Sequence, residues 1–184
     1  MKLGVLTGGG DCPGLNAVLR AVVRRSAQDH GDEVVGFVDG WRGVVEGEWR
    51  RLDVSTTRGV LPLGGTILGT SRTTPTLLDE GMQRALATTS DMGLDYLLVI
   101  GGDGTLGAAH QYVEQGGCAV GIPKTIDNDV AGTEHTFGFN TAVQIATDLI
   151  DRLHTTAESH DRVMVVEVMG RNVGHVAVHA GLAG

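Results

Sequence analysis

The chain has 184 residues and 41% hydrophobic content, which is enough for a packed globular protein of one domain or slightly more. Its net charge of -8 and aromatic content of 4% argue against nucleic acid or an anionic membrane as the main partner, because those need a positive face or stacking platforms. Cys12 and Cys118 match no disulfide framework or zinc site, and no run has signal-peptide or membrane-spanning length, so we expect a cytoplasmic protein.

Strand-like and helical patterns alternate along the chain, which predicts an α/β fold with a largely parallel sheet flanked by helices. In chain order we predict a strand over 2–7, a helix over 14–29, a strand over 33–38, a hairpin-like addition over 41–53, a helix over 77–91, a strand over 96–100, a helix over 105–115, a strand over 118–122, a helix over 140–154 and a strand over 162–168. The last residues, NVGHVAVHAGLAG, are typical of a helix that stops in mid-course, so we expect the chain to be cut there.

Glycine-rich and polar loops follow the predicted strands. TGGGDCPGLNA follows the first strand, GGDGT the third and PKTIDND the fourth, while GGTILGTSR ends in Arg72 and MGR ends in Arg171. In parallel sheets ligands gather at the carboxyl ends of the strands, so we expect these loops to converge on one edge. The 29 glycines are about double the usual ~7%, which is typical of loops that approach phosphate groups closely.

The stretch VIGGDGTLG has three interpretations. Its glycines, which fit G-x-G-x-x-G, can simply shape a tight strand-to-helix turn. They can also form a dinucleotide loop, because a strand precedes, a helix follows and Asp127 stands about twenty residues on. In the third interpretation Asp103 holds a metal ion that itself bridges to phosphate oxygens.

The loops together carry what phosphoryl transfer requires. They contain phosphate-binding glycines, the two arginines, and the acids Asp103, Asp127 and Asp129. Phosphoryl transfer needs a carboxylate-held metal, cations on the moving group and a base for the accepting hydroxyl.

At this point the sequence resembles a known family. GGGDCPGLNA, GGTILGTSR, IGGDGTLGAA, PKTIDNDV, TFGFNTA and VEVMGR, in this order and spacing, resemble the 6-phosphofructokinases, and the resemblance runs from residue 1 to 184. It implies an ATP- and Mg²⁺-binding α/β domain over 1–138, followed over 139–184 by the start of a second α/β domain that binds fructose 6-phosphate.

The resemblance implies a role for individual residues on the nucleotide side. Asp103 would ligate Mg²⁺ on the donor phosphates, and Arg72 would also stabilise the transferring phosphoryl group. The residues implied to bind the nucleotide are Gly10, Arg72, Thr73, Gly102, Asp103, Gly104 and Thr105.

On the sugar side, the resemblance implies that Asp127 takes the proton from the C1 hydroxyl, with Arg72 and Arg171 as further catalytic residues. Asp129 would support the metal or the base. Arg162 matches a residue that reaches the 6-phosphate from a neighbouring subunit, which implies a homodimer or homotetramer with a shared active site. The implied sugar-phosphate ligands are Thr125, Ile126, Asp127, Arg162, Met169, Gly170 and Arg171.

The resemblance alone does not identify the phosphoryl donor, because the family contains both ATP and pyrophosphate users. Two positions tend to separate them. Pyrophosphate enzymes usually have aspartate at the second glycine of GGDG and lysine before TIDND, whereas many ATP enzymes have glycine at both; this chain has Gly104 with Lys124. A side chain at 104 would fill the space of the α-phosphate, while a lysine at 124 adds a cation without blocking it. We therefore predict ATP.

Three alternative functions remain open. A pyrophosphate-dependent phosphofructokinase is the first alternative, and a truncated chain that binds nucleotide without full activity is the second. An NAD-dependent oxidoreductase would explain one G-x-G-x-x-G but gives no role to Asp103, PKTIDND or MGR.

Overall fold

The computed structural model describes residues 1–184, which form two compact units, Met1–Lys124 and Thr125–Gly184. The first unit contains β1 (Lys2–Thr7), α1 (Leu15–Arg25), β2 (Glu33–Phe37), α2 (Trp41–Glu46), β3 (Trp49–Leu52), α3 (Gly81–Asp91), β4 (Tyr96–Gly101), α4 (Asp103–Glu114) and β5 (Ala119–Thr125), whose last residue belongs to the second unit. The second unit contains β6 (Phe137–Gly138), α5 (Phe139–Ser159) and α6 (His175–Ala183).

The sheet has six strands in the order β3-β2-β1-β4-β5-β6. The strands β2, β1, β4 and β5 are parallel, and β3 is antiparallel to β2. Thr7 pairs with Ile100 and Gly101 pairs with Pro123, so β1, β4 and β5 end at the same edge. The predicted α/β fold is confirmed, and so are the first four predicted strands, with small differences at their ends.

The core of the first unit lies on both faces of this sheet, because successive side chains of β1 point to opposite sides. Val5 packs with Leu15 and Leu19 of α1, whereas Leu6 packs with Trp41 and the helices of the other face. Burial of each such side chain contributes about 1.5–3 kcal/mol, so the strand ends have rigid support.

The hairpin predicted over 41–53 is wrong. Residues 41–46 form α2, and only β3 pairs with β2 as an antiparallel strand. Trp41, Val44 and Val45 are buried at helical spacing, and Gly47 ends the helix with a φ of 71°. A short helical pattern and a short strand pattern follow one another within residues 41–53. Together they resemble the pattern of two paired strands, so a hairpin was predicted.

The strand predicted over 162–168 is also wrong, since these residues form no strand or helix. A strand requires a neighbouring strand for its backbone hydrogen bonds, and Val163 and Val165 are each 94% exposed. The β-branched residues of this segment favour a strand, but that preference alone does not supply a neighbouring strand.

The predicted helices are present with shifted ends. A π-helical turn, Ser26–His30, follows α1. A 3-10 turn, Pro75–Leu77, is separated from α3 by residues 78–80, of which Glu80 has a φ of 49°. In the second unit α5 packs against α6, the helix predicted at the end of the chain. None of the helices combines the length and the apolar character that a membrane crossing needs.

The two compact units divide between Lys124 and Thr125. The loop after β5 is tied to the second unit, where the Thr136 hydroxyl donates to the Thr125 carbonyl at 2.7 Å. The domain boundary at 138/139, and the assignment of ATP binding and fructose 6-phosphate binding to the two domains, stay predictions.

Candidate active site

The glycine loop after β1 is held by the strands and loops beside it. The Gly8 amide donates to the carbonyl of Ile100 at 2.9 Å, and the Gly9 amide donates to that of Ser71 at 3.2 Å. Gly8 must be glycine for packing, because a Cβ there would lie 2.7 Å from the Cγ2 of Thr105. At Gly10 an added Cβ would meet no atom within 4 Å, so the loop opens onto free space at this residue.

The segment that carries Arg72 is fixed to the ends of β1 and β2. The Thr7 hydroxyl donates to the Gly69 carbonyl at 2.8 Å, the Thr70 hydroxyl to the Gly9 carbonyl at 2.7 Å, and the Ser71 hydroxyl to the Asp39 carbonyl at 2.7 Å. The side chain of Arg72 is exposed and that of Thr73 is half-buried. The predicted nucleotide residues on this segment thus lie beside the loop that contains Gly10.

The GGDGT stretch forms the start of α4, with Gly102 as its N-cap. Asp103 and Gly104 are exposed in the first turn, whereas Thr105 is buried against the backbone of Gly8 and Gly101. The Trp41 indole N–H donates to the Thr105 carbonyl at 3.2 Å. Helix amides and an exposed carboxylate are therefore presented together at the carboxyl end of β4.

The geometry of this turn tests whether its glycines are needed only to shape the backbone. Gly102 has a φ of -88°, and neither Gly104 nor Gly107 is among the glycines with positive φ. A Cβ at Gly104 or Gly107 would meet no protein atom within 4 Å. The turn does not need glycine at these positions, so the interpretation as a merely structural turn loses its support.

The cation at the end of β5 is buried. Lys124 is 3% exposed, and its Nζ donates to the Gly10 carbonyl at 2.7 Å. Burial lowers the pKa of Lys124 from its usual value of 10.5, while the charges of Cys12 and Asp11 oppose that shift. Its ammonium group therefore faces the glycine loop.

The carboxylate of Asp127 is held by two hydrogen bonds within the second unit. Its carboxylate accepts hydrogen bonds from the Thr125 hydroxyl at 3.4 Å and from the Arg171 backbone N–H at 3.2 Å. Its own amide donates to the Thr125 hydroxyl at 3.1 Å. The structure thus brings together three residues predicted for the sugar side.

The loop around Asp127 is shaped by Asn128, which has a φ of 53°. The Asn128 side chain accepts from the Thr136 amide at 2.8 Å and donates to the Glu134 carbonyl at 3.0 Å. Ile126 and Asp129 are half-buried in this loop. The loop is closed on itself by side-chain bonds, so Asp127 is held before any substrate arrives.

The other predicted sugar-phosphate residues lie on the surface of the second unit. Arg162, Met169, Gly170 and Arg171 are all exposed, with Met169 at 75%. Only Arg171 is tied to Asp127, through its backbone N–H.

Sequence reasoning missed the residues that support the site. Thr7, Thr70, Ser71, Asn128 and Thr136 make the hydrogen bonds that hold the loops. A weak signal exists for Thr7, since it is a hydroxyl residue at the end of an apolar strand. The others bind residues that only the folded chain brings near.

No group of three or more His, Cys, Asp or Glu side chains converges into a metal site. The exposed Asp103 at the start of α4 nevertheless fits Mg²⁺, which proteins commonly hold through one or two carboxylates together with substrate phosphates and water.

Comparison with known proteins decides the family. The sequence profile described as Phosphofructokinase matches residues 2–184. The chain belongs to the phosphofructokinase family. It is similar in fold to the phosphofructokinase of Pichia pastoris in the T-state, with a TM-score of 0.90 and 34% identity over 98% of this chain and 21% of that chain.

Two curated phosphofructokinase relatives from Streptomyces coelicolor carry different donors in their names. One is a pyrophosphate–fructose 6-phosphate 1-phosphotransferase, 58% identical over 100% of this chain and 54% of its own length. The other is ATP-dependent 6-phosphofructokinase 3, 56% identical over the same shares. The chain spans about half the length of these relatives, and their similar identities do not separate the two donors.

Proposed function

We propose that the protein transfers the γ-phosphoryl group of ATP-Mg to the C1 hydroxyl of fructose 6-phosphate, giving fructose 1,6-bisphosphate and ADP. The carboxylate of Asp127, held by the Thr125 hydroxyl and the Arg171 backbone N–H, is the observation that supports this most strongly. A positioned carboxylate is what the accepting hydroxyl requires as general base.

In the proposed reaction Asp127 accepts the proton of the C1 hydroxyl as the oxygen forms its bond to the γ-phosphorus. The bond from that phosphorus to the bridging oxygen breaks, and ADP leaves with the electron pair. Arg72 and Arg171 stabilise the charge that spreads over the phosphoryl oxygens. Thr125, Ile126, Arg162, Met169 and Gly170 complete the proposed sugar-phosphate site.

Asp103 is the residue that would hold Mg²⁺, which supplies positive charge to the donor phosphates when bound. The loop around Gly10 and the segment with Arg72 and Thr73 would bind the nucleotide phosphates through backbone N–H groups and the guanidinium. Gly102, Gly104 and Thr105 belong to the same proposed nucleotide site.

ATP is favoured over pyrophosphate by Gly104. The open space over Gly104 leaves room for the α-phosphate that pyrophosphate lacks. The alternative, a pyrophosphate-dependent enzyme, draws its support from the 58% identical relative with that name. A cytoplasmic homodimer or homotetramer, in which Arg162 reaches a neighbouring subunit, is part of the same proposal.

The substrate is tested by steady-state assays of the full-length protein with ATP-Mg and a panel of hexose phosphates. We expect the highest kcat/KM with fructose 6-phosphate, with glucose 6-phosphate and mannose 6-phosphate as matched controls. Equal or higher kcat/KM with one of those controls would contradict the proposal.

A further inference from the structure

We propose that Lys124 is a positioning residue, whose ammonium group holds the Gly10 carbonyl and so fixes the phosphate-binding loop for either donor. This inference rests on the proposed function, in that the loop around Gly10 receives the donor phosphates. It also departs from the expectation that Lys124 helps to select the donor.

The ammonium group of Lys124 lies against the backbone of the glycine loop. The hydrogen bond from Lys124 Nζ to the Gly10 carbonyl measures 2.7 Å, and a Cβ on Gly9 would lie 3.7 Å from Nζ. With only 3% of the residue exposed, the cation lies under the loop and not in solvent. A buried cation is tolerated only when such charge-assisted bonds compensate for lost hydration.

The loop needs external support because of its sequence. Gly8, Gly9 and Gly10 are consecutive glycines, which lose more conformational freedom on ordering than other residues. Gly9 is held on the side of the Arg72 segment, through the Thr70 hydroxyl and the Ser71 carbonyl. Lys124 holds the next residue, Gly10, from the end of β5.

A support of this kind does not distinguish donors. It orders the backbone that binds phosphate groups, and both ATP and pyrophosphate contain them. A lysine in direct contact with one donor would instead change the ratio of the two affinities. The two roles therefore predict different kinetic patterns.

The test compares Lys124→Met and Lys124→Arg with the parent in the full-length protein. The methionine keeps the length of the side chain and removes the N–H groups that donate the hydrogen bond. The arginine keeps N–H groups that can donate it. Lys2→Met is the matched control, because Lys2 also donates to a backbone carbonyl, that of Met92 at 2.9 Å, at the opposite ends of the strands.

In the ligand-free proteins, amide hydrogen exchange is measured over residues 8–11. We expect exchange there to be about tenfold faster in Lys124→Met, partly restored in Lys124→Arg and unchanged in Lys2→Met. Unchanged exchange in Lys124→Met would overturn the proposal.

In kinetic assays we expect the KM for ATP and the KM for pyrophosphate to rise in Lys124→Met by the same factor, about tenfold, with the KM for fructose 6-phosphate unchanged. A change of about tenfold in the ratio of the two donor KM values would overturn the proposal in favour of direct contact. If the parent does not phosphorylate fructose 6-phosphate, the proposed function fails, while the exchange result still decides the role of Lys124.

Discussion

Two hydrogen bonds hold the carboxylate of Asp127. Each oxygen accepts only one of them and therefore keeps a lone pair that can accept a proton. The Arg171 N–H donates to one oxygen at 3.2 Å and the Thr125 hydroxyl to the other at 3.4 Å. An asparagine at 127 would keep an oxygen that accepts from the Arg171 N–H. Its NH2 group could donate to the Thr125 hydroxyl, which can rotate to accept. The variant Asp127→Asn therefore separates proton transfer from positioning.

We expect Asp127→Asn to lower kcat about 10²-fold or more, with little change in the KM for fructose 6-phosphate. Steady-state kinetics of the full-length protein measure both constants. Glu134→Gln is the matched control, because it also removes a carboxylate from the second unit, on an exposed side chain. A raised KM with an unchanged kcat would make Asp127 a binding residue.

Gly104 allows a second test of a single residue. A side chain there meets no protein atom within 4 Å, and an aspartate in the first turn of a helix is favourable to the helix. We expect Gly104→Asp to keep or slightly raise the melting temperature but to lower kcat/KM for ATP at least about tenfold, because the carboxylate repels the nucleotide phosphates.

Gly107→Asp is the control for Gly104→Asp, since Gly107 lies one turn further along α4 and is equally open. It should keep most of the parent kcat/KM. If Gly104→Asp uses ATP as well as the parent does, the space over Gly104 does not hold the nucleotide.

Motif residues and their supports differ in how far the sequence predicts them. Asp127, Thr125 and Arg171 were predicted together and lie together. Thr70 and Ser71 were missed as supports, because their partners Gly9 and Asp39 are distant in the chain and close only in the fold.

At the scale of elements, α3 and α4 are joined by one buried polar contact. The Tyr112 hydroxyl lies 2.7 Å from the Thr89 hydroxyl, and the Tyr112 ring is 5.8 Å from that of Trp41. Burial raises the pKa of the Tyr112 phenol above its usual 10.0, although the Thr89 hydrogen bond partly opposes the shift. The folded protein thus keeps this proton to higher pH than the unfolded chain.

This contribution to the free energy of unfolding is complete below pH 10 and is lost as pH rises through the folded-state pKa. We expect Tyr112→Phe to lower the free energy of unfolding by about 1 kcal/mol at pH 7 and to make its fall above pH 10 shallower. Denaturant unfolding at several pH values measures this. Tyr96→Phe, at a tyrosine 44% exposed, is the control, and an equally steep fall in Tyr112→Phe would contradict the assignment.

Helices and strands were predicted correctly where one pattern of apolar residues continued over the whole element. The apolar runs of β1 and β4 and the helical spacing of α5 belong to this group. The segment 41–53 failed because a helix and a strand share few residues, and 162–168 failed because a strand depends on a partner that its own sequence does not describe.

At the scale of the whole molecule, the net charge of -8 is compatible with the proposed function, because phosphate binding needs positive potential only locally. In the proposal, backbone N–H groups at helix starts and the side chains of Arg72 and Arg171 would supply it. The order of the motifs predicted the family.

The most direct test of the central claim follows ³¹P signals while the full-length protein acts on fructose 6-phosphate with ATP or with pyrophosphate, at one Mg²⁺ concentration. We predict equal amounts of fructose 1,6-bisphosphate and ADP from ATP, and a higher kcat/KM for ATP than for pyrophosphate. A higher kcat/KM for pyrophosphate, or ADP formed without fructose 1,6-bisphosphate, would contradict the account.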